Sequence, residues 1–108
     1  MSESLARLRV LVGQGEVRVS LHGFRELAAD DILLNDVVAG INAAIVIEEY
    51  PDFSRGPCVL VLERDNENRP LHVVWGIPRN HTSPAVLVTA YRPDPSRWSA
   101  DFTRREQS

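Results

Sequence analysis

The chain has 108 residues, of which 44% are hydrophobic and 25% charged, with a formal net charge of −3. That length and balance predict one soluble globular domain with a self-sufficient core. They also exclude a membrane span, because no apolar run approaches the roughly 20 residues a helix needs to cross a bilayer. An acidic chain is a poor generic coat for nucleic acid.

The N-terminus, Met1-Ser2-Glu3-Ser4, lacks the basic start and long apolar stretch of a secretion signal. The one cysteine, Cys58, can form no internal disulfide and supports no metal cluster. Flanked by Pro57 and Val59, it reads as a small buried hydrophobe. A reducing cytoplasm is the expected compartment. All twelve cations are arginines, and they are unevenly placed. Residues 1–68 carry six arginines against twelve acids, whereas residues 69–105 carry six against Asp94 and Asp101 alone. One end of the molecule is therefore expected to attract anions.

In chain order, Leu5, Leu8, Leu11 and Val12 recur at helical spacing and predict a helix over 3–12, ended by Gly13-Gln14-Gly15. Residues 16–20 alternate with the period of a half-buried strand. Ser20 is placed to cap a helix starting at Leu21, with Leu21, Phe24, Leu27 and Ala28 as its apolar stripe. Asp30-Asp31 breaks it, and a second helix is predicted over 34–41 with Val37, Val38 and Ile41 inward. Residues 43–50 form a strand, and 51–56 a polar loop. Residues 57–64 are apolar on both faces and predict a central strand. After the Asp65–Asn68 turn come strands over 70–77 and 85–91, joined by the 78–84 loop. Pro95 is placed to open a helix over 96–105, with Trp98 and Phe102 on one apolar stripe.

Strands joined by short loops must run antiparallel, and helices grouped before them point to an α+β fold. The expected architecture is a small twisted antiparallel sheet of four or five strands. N-terminal helices cover one face, and a short helix closes the chain.

Four stretches carry a family resemblance: SLHGFRELAADDI (20–32), VIEEYPDFSRGPCVLVLERD (46–65), RPLHVVWGIP (69–78) and LVTAYRPDPSRW (87–98). In combination they resemble the domain-of-unknown-function family numbered 4258, over about Val17 to Arg105. That family in turn resembles the RelE/ParE/BrnT-type toxins of bacterial toxin–antitoxin pairs. The resemblance implies a RelE/ParE-like sheet with helices packed on it. RelE-type toxins cut RNA without a metal, and ParE-type relatives poison gyrase. An antitoxin protein and RNA or the ribosome are therefore the implied partners. Many members carry a histidine followed four residues later by arginine on the first core helix. Here that place is Glu26, with Arg25 one position earlier.

Metal-free RNA cleavage needs a base, cations on the phosphorane and an acid for the leaving oxygen. Histidine suits either proton-transfer role because it titrates near neutrality. His22, in the first turn of its helix, and His72, inside an apolar strand, are the acid–base candidates. Alternation puts His72 on one strand face with Val74 and Gly76, opposite Leu71, Val73, Trp75 and Ile77. A catalytic role requires that face to be an open hollow. Tyr91 joins the catalytic candidates if the strand register, left open by the sequence, brings it to His72. Arg25, Arg79 and Arg92 are the candidate substrate contacts, as forks that clamp phosphate. The plainer readings are a surface or capping His22, a hydrogen-bonded core or sheet-face histidine at 72, a solvated His81, and solvent exposure or pairing with Asp94 or Asp101 for Arg79 and Arg92.

Glu48, Glu49 and Asp52 read as a solvated acidic edge rather than a hard-cation site. No phosphate loop, CxxC or HExxH occurs, and no cofactor or metal is implied. Two functional readings stay open: a toxin-like metal-independent ribonuclease, and a non-catalytic protein-binding or regulatory module on the same scaffold. Dimerisation through the 43–50 strand or another open sheet edge is a further expectation.

Overall fold

A computed structural model of the chain describes residues 2–106. Helix α1 (Glu3–Gly13) is capped by the Ser2 hydroxyl, which accepts from the Leu5 N–H, and it buries Leu5, Leu8, Leu11 and Val12. Strand β1 (Val17–Val19) follows, then α2 (Leu21–Ala29) and α3 (Leu34–Gly40), the last extended by a short 3₁₀ turn over Ile41–Ala43. Four strands come next: β2 (Ile45–Tyr50), β3 (Cys58–Arg64), β4 (Pro70–Gly76) and β5 (Ala85–Tyr91). The fold is α+β.

The sheet order is β1-β5-β4-β3-β2. Strands β2 to β5 form the expected antiparallel meander. The sheet is nevertheless mixed, because β1 pairs with β5 in parallel, Val17 opposite Ala85. No short loop joins those two strands, so the hairpin constraint that makes the others antiparallel does not reach β1.

The three helices cover one sheet face. Val59, Val61, Leu71, Val73, Trp75, Ala85, Leu87 and Ala90 point into a core shared with Leu8 of α1, Leu27 of α2, and Val37 and Ile41 of α3. Arg9 ties α1 to the end of α3 by donating to the carbonyls of Ile41 and Ala44.

Two expectations are corrected. The predicted stripe of α2 is out of phase: its buried residues are Gly23 and Leu27, while Leu21 is 66% and Phe24 65% exposed. The cause is Gly23. A Cβ there would lie 2.7 Å from the Leu87 carbonyl oxygen, so the missing side chain lets the helix backbone descend onto β5 and sets its rotation. The predicted C-terminal helix is absent as well. Residues 93–106 form a strap of turns, with one bridge between Trp98 and Arg105. The Asp94 carboxylate accepts from the N–H and hydroxyl of Ser96. Asp101 accepts from the N–H and hydroxyl of Thr103 and from the Ser99 hydroxyl. These local bonds compete with helical ones, and they prevail here. Trp98 and Phe102 therefore do not form a helical stripe. Trp98 is buried and Phe102 half-buried.

Candidate functional site

The sheet face away from the helices carries His72, Val74 and Gly76 from β4 and Cys58, Leu60 and Leu62 from β3. Its two ends differ.

At the strap end, His72 stands opposite Tyr91. A β-bulge makes that pairing possible. Val74 pairs with Thr89 but Trp75 pairs with Leu87, so Val88 is an extra residue. The extra residue shifts the alternation, and Tyr91 falls on the face of His72 rather than on the face of Leu87. The Phe102 carbonyl can only accept, so His72 Nε2–H donates to it at 2.8 Å. The other ring nitrogen, Nδ1, then accepts from the Tyr91 hydroxyl at 3.2 Å. The imidazole meets the Trp98 indole edge-on, ring centroids 4.3 Å apart, and Arg105 lies over that indole. Arg105 also pairs with Glu48 of β2 at 2.9 Å, which fastens the strap across the sheet.

His72 is 0% exposed. Burial pushes it below the usual imidazole range, and nearby Arg105 acts in the same direction against the Phe102 bond. The expectation that His72 faces an open hollow is thus corrected: the strap seals it, and both ring nitrogens are engaged within the fold. Burial also raises Tyr91 above the ordinary phenol range.

Arg92, a candidate substrate contact, is engaged too. The Arg92 backbone N–H donates to Asp30 Oδ2, its Nε to the Asp30 carbonyl, and its Nη1 to Asp65 Oδ2 at 3.0 Å. Its partners are therefore Asp30 and Asp65 rather than Asp94 or Asp101. Together they lock the end of α2 to the β3–β4 turn. Asp65 accepts from the backbone N–H groups of Glu67 and Arg69 as well, and these bonds hold its carboxyl down to about 2 despite the opposing effect of its desolvation. Beside the strap, a polar hollow of about 620 Å³ is lined by Tyr91, Arg92, Arg97 and Arg105 together with Asp94 and Glu106. Its three arginines are each paired with an acid: Arg92 with Asp65, Arg97 with Asp94 and Arg105 with Glu48.

At the opposite end the same face is open. A recess of about 420 Å³ has Cys58, Gly76, Val86 and Val88 in its floor and Phe53 in its wall. His22, Arg18 and Arg55 also line it, and no carboxylate does. Ser20 at its edge is committed, accepting from Gly23 N–H and donating to the Val88 carbonyl. Gly76 keeps the floor deep, since a Cβ there would stand 3.2 Å from both the Cys58 Cβ and the Pro57 carbonyl oxygen.

The wall is fixed by backbone bonds. Gly56 N–H donates to the Phe53 carbonyl, Arg79 N–H to that of Arg55, and Ile77 N–H to that of Pro57. Gly56 has φ +130°, and a side chain there would collide with Ile77 O. Arg79, a predicted phosphate contact, donates from its side chain to the Ser54 carbonyl and so braces this loop.

The structure therefore pairs His72 with Tyr91 in a sealed cluster and places His22 in the open recess at the other end. Arg25 is exposed on α2, four residues before Ala29. His22 lies 3.8 Å from Glu26, one helical turn on. Arg18, Arg55 and Phe53 were not singled out from the sequence as recess residues. Half of the signal was present, because Arg18 alternates outward on β1 and Phe53 is an aromatic in a polar loop. Their meeting depends on β1 joining the far side of β5. Among the described residues, no group of histidine, cysteine and acidic side chains is arranged to hold a metal. Nor, among the described residues, is any helix long and apolar enough to cross a membrane.

No curated protein and no solved structure matches the chain. Residues 19–92, from the last residue of β1 to the residue after β5, match the family described as Domain of unknown function (DUF4258), and the chain belongs to that family.

Proposed function

We propose that this protein works as a binding module through the open recess, not by proton transfer at His72. The observation that carries this reading is the contrast along one sheet face. The buried imidazole has spent both nitrogens on Tyr91 and Phe102, whereas the recess is concave, preformed and lined by cation-bearing side chains with no acid. Binding sites have this composition: apolar walls with a few placed polar groups.

A second reading, a toxin-like component that cuts RNA without a metal, is favoured by one observation. His22 lines the same recess as Arg18 and Arg55, which sets a proton acceptor beside two guanidinium forks suited to a phosphate. An antitoxin partner belongs to this reading.

The two are separated by incubating the purified chain with a defined single-stranded RNA between pH 5 and 8, and by following growth on induced expression. The binding reading expects intact RNA and growth that is the same for wild type and His22→Ala. Cleavage or growth arrest that disappears in His22→Ala, while His72→Ala stays folded and active, replaces the first reading with the second.

A further inference from the structure

We propose that the recess is a site for a small amphipathic organic anion: one carboxylate or equivalent group on an apolar body. This rests on the reading of the recess as the binding site and adds the chemistry of its ligand.

The floor offers only hydrocarbon and a thiol, from Val86, Val88, Gly76 and Cys58. Burial raises the Cys58 thiol above its ordinary range, so it is present as the apolar S–H form. Phe53 is 49% exposed on a loop whose backbone is pinned, so its ring is held at the mouth rather than folded away. The loop that shapes the cavity is thus held by bonds within the fold itself.

Charge sits only at the mouth. Arg18 and Arg55 are exposed, and the arginine ion pairs among the described residues belong to Arg69, Arg92, Arg97 and Arg105. Neither recess arginine has an acidic partner there. Two forks around one opening complement a single anionic group, with the His22 imidazole beside them shared with Glu26 at 3.8 Å. The volume of about 420 Å³ lies near the lower end of the range for small-molecule sites. A polyanionic strand would leave the apolar floor unused, whereas a carboxylate with a hydrocarbon tail satisfies both parts of the site at once.

The test uses the ¹⁵N-labelled full chain titrated with octanoate, octan-1-ol, inorganic phosphate and a six-nucleotide RNA. Octanoate is expected to shift the amides of His22, Gly56 and Gly76 saturably. Octan-1-ol and phosphate, each carrying half of the chemistry, should bind at least about tenfold more weakly, the equivalent of one lost charge-assisted contact. Arg18→Ala/Arg55→Ala should weaken octanoate by about tenfold or more, and Val88→Phe, which fills the floor, should abolish saturation. The double arginine variant alters only exposed side chains, so it remains informative if Val88→Phe does not fold. Equal binding of octanol and octanoate, shifts centred away from these amides, or an unaffected arginine variant would overturn the proposal. RNA moving the recess amides where octanoate does not would overturn the ligand class and leave the recess as the binding site. Silence of those amides to every probe would overturn both.

Discussion

The two ends of one sheet face carry the same strands but opposite outcomes. At one end β4 presents His72, and a strap of irregular chain is bonded, stacked and salt-bridged over it. At the other end β4 presents Gly76, and a preformed recess stays open. A buried imidazole demands hydrogen-bond partners, and the strap supplies one. Gly76 projects no side chain, which leaves room for the recess at that end. The residue that attracted attention as a catalytic base is thus better explained as the fastening point of a cover.

That contrast can be broken most severely at Trp98. Trp98→Ala removes a buried indole that packs on His72 and should cost about 3–5 kcal/mol in denaturant unfolding, as large-to-small core changes do. A loss below about 1 kcal/mol would mean that the strap is dispensable and that the sealed end is open in solution.

The helix-side face beneath the same end gives a second test. Glu63 is 1% exposed, with Oε2 accepting from the Trp75 indole at 3.0 Å and Oε1 without a partner. Gly40 of α3 closes over it: a Cβ there would lie 2.5 Å from Oε1. Burial pushes this carboxyl from 4.5 up to about 8, so the folded state holds a proton that the unfolded state releases. Its contribution to stability is complete below about 4.5 and is lost as pH rises towards about 8. Within that window the slope should be about 1.4 kcal/mol per pH unit at most. Glu63→Gln should flatten that part of the stability–pH curve; an unchanged curve would show the carboxyl to be ionised and hydrated in the fold.

Smaller in energy, but sharper for the site, is the titration of His72. Its ring signals should stay those of the neutral Nε2–H tautomer to below the usual 6.5, while its contribution to stability is lost as pH falls through that lowered value. Ordinary titration would restore His72 as a candidate base. The least effect is expected at the recess itself: Arg18→Ala/Arg55→Ala should change unfolding stability by less than about 0.5 kcal/mol, because exposed arginines without partners hold nothing together. A larger loss would assign them to the scaffold.

The family match ends at Arg92, one residue before the strap begins. Whatever members share through the helices and sheet, the segment that seals His72 lies outside the matched residues.

Much of this was legible in advance. Apolar spacing placed α1 and α3, Ser20 was visible as the cap of α2, and each of β1 to β5 coincides with a predicted strand to within one or two residues. Local propensity and periodicity carry that information, because hydrogen bonds close to home and alternate burial are written along the chain. The phase of α2, the parallel docking of β1, the non-helical strap and the bulge at Val88 were settled elsewhere. Three of these depend on which distant backbone comes near: Gly23 against Leu87, Val17 beside Ala85, and Val88 slipped against β4; the strap turns instead on bonds that Asp94 and Asp101 make to residues two positions away. Single residues decide these contacts, while periodicity averages over many. The sequence by itself therefore determined the elements and the composition of the core. Only the tertiary structure decided which end of the sheet is closed, since that choice is made by partners far apart in the chain.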